Sequence, residues 1–307
     1  MASTQSLANR QHWESAARNG PRAPEETIEW NDIHWTPLTA EPRGVDYIEV
    51  DADGVPAMWI CPKRGVEDRV IFYSHGGGFV SGSIYTHRKL VGHLAKASGC
   101  LGLLFEFPYV HERKHPAQLE TAEGVYRWLL DQGIKAEHVV VAGESAGAIL
   151  TVGVLQRARE SGFAQPAAAM IMSGWFDLAA TGSSYVTNRE KDPFFTKPAV
   201  EWLAQNFVGD GDPSDPHANP LNADLAGFPP IYLQAGGDET LVDDSRMFAD
   251  RARQAGVKVR LDVFPEMLHS FQMMAGRAPE ADDAIRRFAE WVRPKLDLVG
   301  EESTVAS

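Results

Sequence analysis

The apolar positions of this chain follow two periods in turn, and the alternation predicts most of its elements. Runs at Val70 to Tyr73, Leu101 to Phe107, Val139 to Ala142, Ala168 to Ser173, Ile231 to Gln234 and Val257 to Phe264 read as strands. The stretches between most of them carry the helical period instead. From about Ala117 to Asp131, Leu119, Ala122, Tyr126, Leu129 and Leu130 form one stripe, and Ala281, Ala284, Ile285, Phe288 and Val292 form another in the last helix. Both stripes are core-facing packing. Strands alternating with helices imply right-handed parallel crossovers. Ahead of them, Val45 to Val50 and Val55 to Cys61 flank the turn signal Asp51-Ala52-Asp53-Gly54 and read as an antiparallel hairpin. The fold class is therefore α/β, a mostly parallel central sheet flanked by helices.

Two segments interrupt the alternation. Residues 1–42 hold Trp13, Trp30 and Trp35 in an otherwise polar, proline-punctuated stretch. Residues 179–220 break the strand order with a helix expected to start near Thr196-Lys197-Pro198 and to end at Gly209, with Phe194, Phe195, Trp202 and Phe207 supplying an apolar face. The chain accordingly divides into an amino-terminal segment (1–42), a first part of the core (43–178), an insertion (179–220), a second part of the core (221–299) and a frayed tail (300–307).

Composition narrows the class of protein. A chain of 307 residues, 44% of them hydrophobic, can bury one large core, so its length does not demand two domains. The formal net charge of -13 repels phosphate backbones and argues against a nucleic-acid partner. No stretch approaches the roughly 18 apolar residues that span a bilayer, and the first residues lack the basic-then-apolar order of a secretory signal. Cys61 and Cys100 have no metal-ligand spacing and read as reduced thiols, which places the expectation in the cytoplasm. Exposed edge strands leave a homodimer open.

Three segments carry candidate chemistry. Gly143-Glu144-Ser145-Ala146-Gly147 follows the apolar run Val139-Val140-Val141-Ala142 and precedes an alanine-rich helical stretch. A serine at such a strand-to-helix bend is held above the carboxyl edge of the sheet with its oxygen exposed, and the small neighbours tolerate the crowded turn. After the strand at Val70, Ser74-His75-Gly76-Gly77-Gly78-Phe79 leaves several backbone amides outside any ladder, free to point at a ligand oxygen. A histidine followed by glycines forms one half of an oxyanion hole in lipases and esterases, paired with the amide after the nucleophile, here Ala146. A phosphate cradle is disfavoured, because neither Gly-x-Gly-x-x-Gly nor a Gly-Lys-Ser/Thr ending is present. The third segment is the strand Ile231 to Ala235, which runs into Gly236-Gly237-Asp238-Glu239. Asp238 is the expected orienting carboxylate at that edge, with Glu239, Asp243 and Asp244 as competitors that suit a solvated turn or the acidic start of a helix. If the acid is there, the base must follow it in the chain, and His269 is the one histidine that does. His75 reads as structural.

From about Arg69 to Phe271 the chain resembles the hormone-sensitive-lipase-like family of bacterial esterases, an α/β-hydrolase branch marked by His-Gly-Gly-Gly. His75 to Phe79 matches that hallmark, Gly143 to Gly147 the nucleophile segment, and Asp238 and His269 the remaining triad positions. The resemblance implies a serine hydrolase with catalytic Ser145, Asp238 and His269, an oxyanion held by the amides of Gly77, Gly78 and Ala146, and neither metal nor organic cofactor. It further implies that residues 1–42 and 179–220 form a helical cap over Ser145, whose aromatics, with Phe79, Phe194, Phe195 and Trp202 as candidates, line a substrate pocket or simply hold the cap to the sheet. Its implied substrate is a small carboxylic ester with a short acyl chain; acetyl esters and lactones use the same triad. A non-catalytic receptor of this fold loses a triad member, and all three are in place here. The chain departs from the family at Phe107-Pro108-Tyr109-Val110-His111-Glu112, where a Tyr-Arg-Leu-Ala-Pro-Glu-like stretch is usual, and carries Glu144 where aspartate or threonine is commoner. A neutral histidine base near its ordinary value places the loss of activity below about pH 6.

Overall fold

The computed structural model describes residues 1–18, 20 and 26–298; the expected tail, 300–307, lies outside them. Two helices, α1 (Thr4–Arg18) and α2 (Thr27–Trp35), open the chain. Neither is strongly amphipathic, so helical periodicity could not announce them. They are held from outside: Trp13, buried on α1, packs its ring 4.5 Å from Trp35 and 4.8 Å from Phe194.

Strands β1 (Val45–Asp51) and β2 (Pro56–Pro62) form the expected antiparallel hairpin. Ala52 and Val55 close its turn, with Asp53 at φ 58° and Gly54 at φ 86°. Two consecutive positive φ values match the right-handed twist of the flanking strands, which is why an Asp-Gly pair sits there. β3 (Val66–Ser74), β4 (Cys100–Phe105), β5 (Val139–Glu144), β6 (Ala168–Met172), β7 (Ile231–Gly236) and β8 (Val259–Phe264) complete an eight-stranded sheet of order β1-β2-β4-β3-β5-β6-β7-β8. From β4 to β8 every pairing is parallel.

Both faces of the sheet are covered, which is why its central strands are apolar without alternation. Val70 and Phe72 of β3 join one core with α4 (Ala117–Asp131), α5 (Gly147–Glu160) and α8 (Val242–Gln254). Ile71 and Tyr73 point the other way, into a core with α3 (Ile84–Ser98), α9 (Pro279–Val292) and Trp13. Every residue of the stripe read in α9 is buried. Between β6 and β7 the chain leaves the sheet and forms a short helix, α6 (Ser184–Thr187), then α7 (Lys197–Val208). Thr196 caps α7 by accepting from the Ala199 amide, and Gly209 ends it at φ 62°. This is an α/β-hydrolase fold, with its loops gathered at the carboxyl ends of β3, β5, β7 and β8. Among the described residues no helix is long and apolar enough to cross a membrane.

Candidate active site

Ser145 follows β5 directly and takes φ 53°, a left-handed conformation that a residue with a side chain rarely adopts. Its neighbours make the bend possible. A Cβ on Gly143 would lie 2.4 Å from the Gly147 carbonyl oxygen, and one on Gly147 would lie 2.1 Å from that of Ser74. The bend is pinned by hydrogen bonds from the Ser145 amide to the Met172 carbonyl and from the Trp175 amide to the Ser145 carbonyl, both 3.1 Å. The side chain thus stands above the sheet, and His269 Nε2 lies 2.9 Å from its Oγ.

The acid expectation is corrected. His269 Nδ1 lies 2.9 Å from Glu239 Oε2, whereas Asp238 turns outward to Arg10 Nη2 at 2.7 Å and Lys191 Nζ at 3.6 Å. The physical reason is local. The Asp238 amide donates to the Met267 carbonyl as the chain leaves β7, so successive side chains exit on opposite sides of the turn. The inward one is fully buried Glu239, whose Oε1 accepts from the Gly236 amide at 3.1 Å. Asp243 meanwhile accepts from Ser183 and Ser184, and buried Asp244 from the amides of Phe176 and Asp177.

Electrostatics follow from that burial. Loss of solvent pushes Glu239 up despite its bond to His269. Burial alone would lower the His269 value, but the hydrogen bond and charge of Glu239, with Glu144 and Asp192 behind it, outweigh burial and hold the imidazole above its ordinary range. Glu144, beside the serine, is the second buried carboxylate. Its Oε1 accepts from the Ser270 hydroxyl and lies 3.8 Å from His269 Nε2, while Oε2 lies 3.4 Å from His87 Nε2. Burial raises Glu144, and these partners, His87 first, more than offset it.

The glycine loop after β3 takes positive φ at Gly77 (109°) and Gly78 (64°). A Cβ on Gly77 would meet the Ser81 carbonyl oxygen at 2.1 Å. Among the described residues, the amides of Gly77, Gly78 and Ala146 donate to no protein acceptor. His75 is buried beneath the loop, its Nδ1 2.7 Å from the Gly76 carbonyl and its ring stacked on Phe107 at 4.1 Å. The segment that departs from the family pattern builds this floor: the Tyr109 hydroxyl donates to the Gly82 carbonyl at 2.5 Å, and the Val110 amide to that of Phe79 at 2.9 Å.

A cavity of about 460 Å³ opens over Ser145, Gly77 and Gly78. Trp30 and Trp35 of α2, Phe194, Phe195, Trp202 and Leu203 supply its apolar wall, and Ser81, Thr86, His87 and Glu144 its polar side. Phe195 meets the His269 ring edge-on at 4.4 Å. Phe79 is corrected as a lining candidate: it is fully buried and stacks on Phe207 at 4.2 Å, so it supports the loop from below. Sequence reasoning ranked Glu239 only as a competitor of Asp238, because a short carboxylate run carries no pattern, and it missed His87 and Arg10 as isolated basic residues; Glu144 was visible only as a variation within the serine motif.

The α/β-hydrolase family profile matches residues 71–273. An acetyl-hydrolase of Streptomyces hygroscopicus is 36% identical over 77% of this chain and 79% of its own length. An esterase of Acinetobacter venetianus is 34% identical over 75% and 76%. The crystal structure of an esterase from the bacterial hormone-sensitive lipase family superposes with a TM-score of 0.93 at 34% identity, covering 96% of this chain and 99% of the other. That of EstE5, soaked with p-nitrophenyl butyrate, does so at 0.90 and 31%, covering 96% and 100%. With fold and sequence in agreement, the chain belongs to the α/β-hydrolase family. Within it, the chain falls in the branch of bacterial hormone-sensitive-lipase-like esterases and is a carboxylic ester hydrolase.

Proposed function

We propose that this chain hydrolyses short-chain carboxylic esters, acetyl esters among them, through Ser145, His269 and Glu239. The observation that carries the reading is the unbroken line from Ser145 Oγ through both imidazole nitrogens to the Glu239 carboxylate, 2.9 Å at each step, beside three free amides. A neutral serine hydroxyl is a weak nucleophile, so His269 takes its proton as Oγ attacks the ester carbonyl, and Glu239 stabilises the imidazolium. The developing oxyanion is held by the amides of Gly77, Gly78 and Ala146, each worth on the order of 10²–10³ in rate by analogy with other oxyanion donors. His269 then protonates the leaving alcohol, and water releases the acid by the reverse sequence. The names of the Streptomyces and Acinetobacter relatives and the ester soaked into EstE5 agree in kind with this substrate class. Residues 1–42 and 179–220 act as the cap: α2 and the residues around α7 roof the cavity. The thiols of Cys61 and Cys100 are unpaired, which suits a reducing compartment such as the cytoplasm.

A panel of p-nitrophenyl acyl esters of increasing length, assayed beside several lactones with Ser145→Ala as control, tests the reading. Hydrolysis highest for acetyl to butyryl esters and lost in the variant supports it. Activity surviving in Ser145→Ala refutes the nucleophile, and lactones turned over faster than every acyl ester replace the substrate class.

A further inference from the structure

One guanidinium joins four stretches of chain that the sequence keeps apart. Arg10, on α1, donates through Nη2 to Asp238 Oδ2 at 2.7 Å and to the Glu266 carbonyl at 3.1 Å, and through Nη1 to the Lys191 carbonyl. Each partner lies next to working machinery. Asp238 precedes the acid Glu239, and Glu266 lies on the loop that delivers His269. Lys191 precedes Asp192, which accepts from the Thr240 amide at 2.9 Å and from the amides of Phe194 and Phe195 at 3.0 Å. The acid and base loops are tied to each other by Gly237 N–H to the Phe264 carbonyl and Asp238 N–H to the Met267 carbonyl. The same acid loop is tied to the insertion by the Asn188 side chain, whose Nδ2 donates to the carbonyls of Gly237 and Glu239. The amino terminus and Ala2 also bond the Glu266 carboxylate, and Ser3 and Ser6 bond Glu280 of α9; Arg10 carries α1 to the acid loop as well, and a planar fork of donors can serve several acceptors at fixed angles where an ammonium cannot.

We propose that Arg10 is a positioning residue, and that its seat on Asp238 and Glu266 holds the two loops so that Glu239 and His269 are aligned. The inference rests on the triad reading above. The guanidinium clamps both loops, and without it the acid–base pair loosens.

Kinetics separate this from a helix that merely covers substrate. Loss of uniform binding raises KM and spares kcat, whereas loss of alignment lowers kcat. Arg10→Ala is expected to lower kcat on the order of ten- to a hundredfold, the size of effect that a small misplacement of reacting groups produces. Asp238→Asn, which keeps the side chain's shape, lowers kcat in the same direction, and the double variant falls no further than the worse single one. Arg10→Lys recovers part of the loss, and free guanidinium at tens of millimolar restores part of the rate of Arg10→Ala. Unchanged kcat in either single variant, a rise confined to KM, or additive losses overturns the proposal. If Arg10→Ala does not fold, as judged by circular dichroism, Asp238→Asn and Arg10→Lys carry the test. Wild-type protein is treated in parallel with a serine-directed phosphonate. No labelling at Ser145 means that the triad reading itself has failed, whereas labelling with normal kcat in the variants removes only the role of Arg10.

Discussion

Glu239 and Asp238 are neighbours in sequence with opposite surroundings, and substitution separates their roles. Glu239→Gln leaves the shape of the site but removes the charge that stabilises the imidazolium, and kcat is expected to fall by about 10⁴, as in other triads. Asp238→Asn is expected to lose far less, a difference that single-turnover rates on one ester will measure. Because Glu239 and Glu144 hold His269 above its ordinary range, the imidazole keeps its proton to higher pH, and a protonated base cannot accept from serine. The acid limb of kcat/KM is therefore expected above about 6.5, the ordinary histidine value, not below pH 6. Glu144→Gln removes one negative charge and should move that limb to lower pH; a limb that stays in place contradicts the coupling. Away from the site, burial pushes Asp244 up to about 8. Its folded form holds a proton that the unfolded chain has already lost, so its contribution to stability is present below about pH 4 and disappears as pH rises towards 8. Asp244→Asn keeps the acceptor for the Phe176 and Asp177 amides, and its gain in Tm should grow from pH 5 to pH 9 in thermal melts. Of these residues, Ser145 and His269 were legible because a motif and chain order single them out. Glu239 was not, because which of two adjacent carboxylates faces inward depends on the backbone path of one turn.

At the scale of elements, the bend at Ser145 sets propensity against contact. Gly147 lies in the first turn of α5, where alanine would favour the helix by roughly 1 kcal/mol. A Cβ there would nevertheless stand 2.1 Å from the Ser74 carbonyl, a backbone atom of the strand beside it. Contact wins: Gly147→Ala should lower Tm and abolish turnover, and an active, unshifted variant would show that the strand can move aside. The sheet and its helices were readable because burial on two faces imposes apolar strands and one-sided helices, as the stripe of α9 illustrates. α7 was readable from its cap residues, Thr196, Pro198 and Gly209. α1 and α2 were not, since their helical state depends on Trp13 and Trp35 meeting Phe194, a residue distant in sequence.

Charge acts at the scale of the molecule. The chain carries a net charge of -13, and the described lining of the cavity includes Glu144 but neither lysine nor arginine. A p-nitrophenyl ester bearing a free carboxylate should be hydrolysed at least about tenfold less efficiently than its neutral counterpart, a modest fraction of the several kcal/mol that like charges in close apposition cost. Added salt screens the long-range part only, so a gap that closes at high salt would assign it to net charge and not to the pocket. By itself the sequence determined the layered α/β architecture, the serine at its bend, the glycine loop and the histidine, because each is written in local pattern or in chain order. Only the tertiary structure decided which carboxylate meets that histidine, that Asp238 pairs with Arg10, and that α1 reaches the loops carrying Glu239 and His269. Those choices depend on the direction of side chains that meet across 30 residues for Glu239 and His269 and 228 for Arg10 and Asp238, and no local period encodes a direction in space.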